Sequence, residues 1–364
     1  MTLMTIALLV GGLAVLTFGA DLLVRGATAL AIVVGISPLV VGLTVVAYGT
    51  STPELAVSIA AGLEGNADIA VANVIGSNIF NVLFILGACA VIAPLAVSRQ
   101  LVKFDVPLMV GASALVVAMG LDGRYGIIDG VVLTAGILGY TAFSIFKSRK
   151  EQRAERDAAG EGALPQSKGG MRASLLNVGL VVAGLLLLAL GSGWFVQGAI
   201  EIARFLGVSD VVIGLTIVAA GTSLPEVATS IIATIKGQRD IAIGNVVGSN
   251  IYNVLGILGV ASLVTPGGLA VAPSTIAVDL PVMLAVAVAC VPVFVTRLSI
   301  DRWEGALFLT SYVVYVAYLV LSAVGNPGLP TFLSAVMWGF LPLASGALLL
   351  SLILNRRAAG PVAG

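Results

Sequence analysis

Histidine is absent from the 364 residues, and only 10% of them are charged. The first absence excludes an imidazole general base, a His-based zinc site and a histidine proton switch. Basic charge is in no excess either: 18 Lys and Arg balance 18 Asp and Glu, which leaves no basic face for nucleic acid. The two cysteines, Cys89 and Cys290, stand in apolar segments of opposite halves and read as small buried hydrophobes. A soluble domain carries about 25% charged residues. A chain that is 59% hydrophobic cannot cover a soluble surface.

What is present is apolar runs long enough to cross a hydrocarbon core of about 30 Å. Eleven such segments are expected, near 3–24, 36–63, 69–97, 104–121, 127–146, 173–199, 208–235, 241–265, 275–296, 304–323 and 331–354. Residues 1–20 have no basic residue before Arg25, so they read as a retained first transmembrane helix rather than a signal peptide, despite Phe18-Gly19-Ala20. The one long polar stretch, 147–172, reads as a cytoplasmic linker between a first half at 1–146 and a second at 173–325. Residues 326–364 add a further helix and tail. With the N-terminus outside, all Lys and Arg except Arg124 and Arg204 fall on the inner side, and the C-terminus with Arg356 and Arg357 is cytoplasmic.

Residues 35–87 align without a gap with 207–259, and 33 of the 53 positions are identical. This is a duplication. Each half has five helices, an odd number, so the second copy enters the membrane inverted. Inverted repeats mark many secondary transporters, with the binding site at the midplane between them. The expected fold is therefore an all-α polytopic membrane protein of two inverted five-helix repeats with discontinuous helices, plus a C-terminal eleventh helix.

Two motifs recur in each copy. Gly49-Thr50-Ser51-Thr52-Pro53-Glu54 matches Gly221-Thr222-Ser223-Leu224-Pro225-Glu226, and Gly76-Ser77-Asn78-Ile79-Phe80-Asn81 matches Gly248-Ser249-Asn250-Ile251-Tyr252-Asn253. Pro53 and Pro225 lack an N–H and should break their helices, freeing carbonyls around 47–50 and 219–222. Free backbone at membrane depth is tolerated only inside protein or along a cavity. Glu54 and Glu226 lie mid-span, where a charge is costly, and no Lys or Arg lies deep enough to pair with them. A metal cation is the natural partner. Hard cations such as Ca²⁺ take carboxylate, carbonyl, hydroxyl and amide oxygens, the only ligands on offer, whereas zinc and copper favour softer ones. Thr50 with Glu54 and Ser77 with Asn81 are four apart and share a helix face, as do Thr222 with Glu226 and Ser249 with Asn253. Asp68 and Asp240 repeat at loop edges and read as helix N-caps. Tyr48 and Ala220 break the repeat beside the site.

At these residues the chain resembles the sodium/calcium exchanger branch of the cation/calcium antiporter superfamily, above all its bacterial calcium/sodium antiporters. The resemblance covers the ten-helix core. It implies four cation subsites between the halves, with Glu54 and Glu226 as shared ligands for Ca²⁺ and Na⁺. Thr50, Thr222, Ser51, Ser223, Ser77 and Ser249 would supply hydroxyl or backbone oxygens, and Ala47 and Ala219 carbonyls. Asn81 and Asn253 would line the centre. It also implies that the first and sixth helices slide across the core. Some exchangers of this family carry a carboxylate where Asn81 or Asn253 stands here. Two amides leave two formal negative charges, suited to one Ca²⁺ or two Na⁺, and leave the counter-ion open between Na⁺ and H⁺. The expected activity is Ca²⁺ efflux driven by Na⁺ entry at the bacterial inner membrane, with Ca²⁺/H⁺ antiport as the alternative. Partners are the transported ions and the bilayer. No cofactor or obligatory protein partner is expected. An intramembrane enzyme would need a nucleophile with a base, or a catalytic metal site; glutamates and serines are present, but there is no His and no Lys lies deep, and a passive channel would show no counter-ion dependence.

Overall fold

The computed structural model describes residues 2–159 and 171–358. Nine helices among them are long and apolar enough to cross a membrane: α1 Leu3–Val34, α3 Ala67–Ile92, α4 Leu101–Gly120, α5 Ile127–Ala159, α6 Met171–Phe205, α8 Arg239–Val264, α9 Thr275–Val295, α10 Arg302–Ala323 and α11 Leu329–Ile353. A tenth span is bent by 45° into α2a, Pro38–Thr50, and α2b, Thr52–Leu63. Its counterpart in the second half comes as two short pieces, α7a over residues 210–221 and α7b, Leu224–Ile235. The chain is an integral membrane protein.

Local chemistry sets these boundaries. Gly35 ends α1 in the left-handed region at φ 70°, and its N–H caps the Ala31 carbonyl. Ser37 then accepts from the Val40 N–H with Pro38 in the first turn, which starts α2a. Gly207 and Ser209 repeat this corner before α7a. Pro53 and Pro225 sit in the first turns of α2b and α7b, and the chain leaves helical geometry at Ser51 and Ser223, as expected of the prolines. The Ala47 carbonyl is not wholly freed, because the Ser51 N–H still reaches it at 3.0 Å.

One other expectation changes. Asp68 and Asp240 are not N-caps: the cap positions are Asn66 and Gln238, and both acids lie exposed in the first helical turn. There they face the positive end of the helix dipole instead. The polar stretch 147–172 is helical at both ends, since α5 runs on to Ala159 and α6 begins at Met171. Residues 160–170 lie outside the described residues.

The duplication extends beyond the aligned segment. The Tyr140 hydroxyl donates to Asp105 at 3.1 Å, and Tyr315 donates to Asp279 at 2.9 Å, at equivalent crossings of α4 with α5 and α9 with α10. Two short antiparallel strand pairs, Leu95–Ala96 with Ser299–Ile300 and Arg124–Tyr125 with Leu269–Ala270, each stitch one half to the other. The deepest helices are α3 and α8, which carry the Ser-Asn motifs.

Helices α1 and α6 form a separate pair. Gly12 and Gly19 on α1 face Gly191 and Gly184 on α6, and at the same seven-residue spacing Gly26 packs on the Asn177 carbonyl and Gly198 on the Thr5 carbonyl. A Cβ at Gly19 would stand 3.0 Å from the Gly184 carbonyl, and one at Gly12 2.9 Å from that of Gly191. Small residues at each contact let the two backbones touch along their length. The pair meets the remaining helices more sparingly, through the Ser192 hydroxyl on the Gly221 carbonyl at 2.8 Å and the ion pair between Asp21 and Lys236. Helix α11 packs only at its margins and has no buried residue in its span.

Candidate cation site

The breaks in α2 and α7 bring the two Thr-Ser-x-Pro-Glu segments together between α3 and α8. Glu54 and Glu226 are each 1% exposed. Each is held by the other half: Ser51 donates to Glu226 Oε1 at 2.8 Å, and Ser223 donates to Glu54 Oε1 at 2.8 Å. Ser223 also lies 3.2 Å from the Ser77 hydroxyl. The described ion pairs engage Asp21, Glu151, Asp210 and Asp301, and neither central glutamate.

A square of asparagines closes the centre. Asn78 donates to the Asn250 carbonyl at 3.2 Å and Asn250 to the Asn78 carbonyl at 3.3 Å. Asn81 Nδ2 donates to Asn250 Oδ1 and Asn253 Nδ2 to Asn78 Oδ1, both at 3.0 Å. Asn81 and Asn253 each give one N–H to this square, and their Oδ1 atoms have no partner. The same is true of Glu54 Oε2, Glu226 Oε2 and Ser249 Oγ. These five are all oxygens, buried between the two halves. A buried polar atom without a partner costs about 1–3 kcal/mol. Such oxygens are the ligands a hard cation takes, and its charge would offset that of the carboxylates. Among the described residues no three of His, Cys, Asp or Glu cluster, so any cation here rests on two carboxylates with amides and hydroxyls around them.

The twelve residues expected at the site divide unevenly. Thr50, Ser51, Glu54, Ser77, Asn81, Ser223, Glu226, Ser249, Asn253 and Ala47 are buried, Thr222 is half-buried, and Ala219 is exposed. Four asparagines that sequence reasoning assigned no role join them. Asn78 and Asn250 orient the central amides. Asn73 donates to the Glu54 backbone carbonyl at 3.1 Å and to Ser58 at 2.9 Å, and Asn245 donates to Ser230 at 2.9 Å. The signal was present: all four recur at the 172-residue offset, as polar residues inside apolar spans.

The pseudo-symmetry is broken on one side. Helix α2a is clamped on α8: a Cβ at Gly42 would meet the Ile241 carbonyl at 2.9 Å, and one at Gly244 the Leu39 carbonyl at 2.7 Å. At the mirror crossing of α7a on α3, a Cβ at Gly214 or Gly76 would meet nothing within 4 Å. Accordingly Val46 and Ala47 are fully buried, whereas Val218 is 47% exposed. A cavity of about 990 Å³ with mostly apolar walls opens on this loose side. It reaches Thr50 and Thr222 at one end and Glu201 and Arg204 at the other. Tyr48, which replaces the alanine of the other copy, stacks on Tyr252 with ring centroids 4.3 Å apart and is hydrogen-bonded to Thr141, so α2a is anchored on α8 and α5 where Ala220 leaves α7a free.

A carboxylate pair between two inverted, broken-helix repeats defines a membrane ion exchanger. The sodium/calcium exchanger protein family matches residues 4–146 and 176–321, and the chain belongs to that family. It is 35% identical to inner membrane protein YrbG of Escherichia coli, over 87% of this chain and 97% of that protein. It is 30% identical to sodium/calcium exchanger MaX1 of Methanosarcina acetivorans, over 85% and 96%. The solved structure of the sodium-calcium exchanger NCX_Mj superposes with a TM-score of 0.74 at 31% identity, covering 87% of this chain and 99% of that one.

Proposed function

We propose that this chain is a secondary active antiporter that exports Ca²⁺ in exchange for Na⁺, by alternating access to the site between the halves. The observation that carries the reading is the set of five unpartnered buried oxygens on Glu54, Glu226, Asn81, Asn253 and Ser249. With Thr50, Thr222, Ser51, Ser223, Ser77 and the carbonyls of Ala47 and Ala219 they form an all-oxygen ligand set. Ca²⁺ takes six to eight such oxygens, and a site of this kind also accepts Na⁺.

The chain belongs in a bacterial inner membrane with its N-terminus outside and its C-terminus cytoplasmic, from the placement of its Lys and Arg. In that orientation the clamped crossing of α2a on α8 faces the cytoplasm, and the loose crossing of α7a on α3 faces outside. The conformation is then one that admits ions from outside through the cavity. Exchange would close the α7a crossing and open the α2a crossing, with α1 and α6 moving as one body across the rest.

The test is uptake of radiolabelled Ca²⁺ into proteoliposomes under Na⁺, K⁺ or pH gradients in turn. Uptake driven by an outward Na⁺ gradient is expected. Uptake driven by a pH gradient in Na⁺-free medium would instead establish Ca²⁺/H⁺ antiport, the alternative that a centre with two carboxylates and two amides leaves open. Flux indifferent to every counter-ion would refute antiport.

A further inference from the structure

Asn73 and Asn245 do not contact the five unpartnered oxygens, yet each is tied to both halves. Asn245 is anchored on the glutamate helix of its own half through Ser230, and its Oδ1 accepts from the Thr50 hydroxyl of the other half at 3.1 Å. Asn73 is anchored likewise, on Ser58 and the Glu54 carbonyl. Its contact with the Thr222 hydroxyl, however, is stretched to 3.5 Å, the limit of a hydrogen bond. The tight pair belongs to the clamped crossing and the stretched pair to the loose one. The single Thr50 hydroxyl hydrogen is shared with the carbonyls of Val46 and Ala47, at 3.1 and 3.3 Å.

We infer that Asn73 and Asn245 are positioning residues that latch the two gates. Each amide is anchored on its own half's glutamate helix and receives the threonine of the opposite broken helix when that gate closes. A threonine hydroxyl that gives its hydrogen to an amide oxygen keeps its lone pairs for a cation. Closing a gate therefore both seals the site and turns one more ligand toward it. In the present conformation the Asn245–Thr50 latch is made and the Asn73–Thr222 latch is not. This rests on the antiporter reading, since only a transporter needs both latches.

The test uses Val218→Cys in full-length purified protein, with both native cysteines replaced by alanine. Val218 lines the open cavity, and its mirror Val46 is fully buried, so gate closure should hide it. Saturating Ca²⁺ should slow thiol labelling of this cysteine. Asn73→Ala should remove most of that protection, about fivefold for one lost hydrogen bond. Thr222→Val should do the same, and the pair together should do no more, as expected of two residues in one interaction. Asn245→Ala removes the latch of the other gate and should leave protection at least as strong as in the parent, which separates the latch from a general packing loss. Protection in Asn73→Ala equal to that of the Asn73 parent would overturn the latch alone. No cation-dependent protection in the parent, together with no driven Ca²⁺ flux, would overturn both the latch and the antiporter reading.

Discussion

If the two helix crossings are alternating gates, a single methyl group at mirror positions should drive the protein in opposite directions. Gly42→Ala places a Cβ 2.9 Å from the Ile241 carbonyl and 3.1 Å from the Cα atoms of Ile241 and Gly244. All three obstacles are backbone, so no side chain can swing away and the helices must part. Overpacking of this kind costs about 1–3 kcal/mol, or about 5- to 150-fold in a two-state ratio. The cost falls only on the conformation in which α2a is clamped on α8. Gly214→Ala meets nothing within 4 Å here, and its cost falls on the opposite conformation. The gain in helix propensity from Gly to Ala, about 1 kcal/mol, is common to both conformations and cancels. Labelling of Val218→Cys reads the balance. Gly42→Ala should slow it, because α7a then spends more time packed on α3. Gly214→Ala should leave resting labelling as fast or faster and weaken protection by Ca²⁺. A shift of both variants in the same direction, or acceleration by Gly42→Ala, would refute the reciprocal gating of the two crossings.

Four further outcomes are expected. Glu54→Gln and Glu226→Gln should each abolish Ca²⁺ transport in protein that still inserts, because each removes one of two central charges; near-normal flux in either would sink the site assignment. Asn78→Ala strips Asn253 Nδ2 of its acceptor, at about 1–3 kcal/mol, and should weaken apparent Ca²⁺ affinity by about tenfold; an unchanged half-saturation concentration in flux assays would show that the asparagine square does not set the site. Ala159→Cys should react with an impermeant thiol reagent only from the cytoplasm and Asn326→Cys only from outside; the reverse pattern would overturn the orientation. Asn253→Asp places a third carboxylate beside Glu54 and Glu226, to be neutralised by a further cation or by a proton, so exchange should persist with a steeper dependence on pH; profiles parallel to wild type would mean that position 253 does not sense the central charges.

Much of the site was legible because the duplication wrote it twice. Glycine, proline and glutamate repeating in register inside apolar spans leave few readings, and the breaks at Ser51 and Ser223 follow from the missing proline N–H. Helix ends were less legible. Asp68 looked like a cap because it follows Asn66 at a loop edge, but the helix begins two residues earlier, at the Asn66 cap. The supporting asparagines were passed over for a different reason. Asn73, Asn78, Asn245 and Asn250 act by joining the two halves, and a pairing across 172 residues is invisible to local spacing. Least legible was the broken symmetry. Gly42 and Gly214 are the same residue in the same motif, and nothing local distinguishes a clamped glycine from a free one. Which gate is shut is a property of the conformation; only Tyr48 against Ala220 hinted that the copies differ.

The glycine ladder between α1 and α6 bears on ancestry. One of its rails comes from each copy, so the contact is between the two halves and not within either. A ladder of this kind would hold two separately made, oppositely inserted half-chains together as readily as it holds one fused chain. An ancestral half that inserted in both directions would have needed no other self-recognition surface before fusion. The imprint of that origin would be a present-day protein whose halves, expressed from two genes, still find each other in the bilayer.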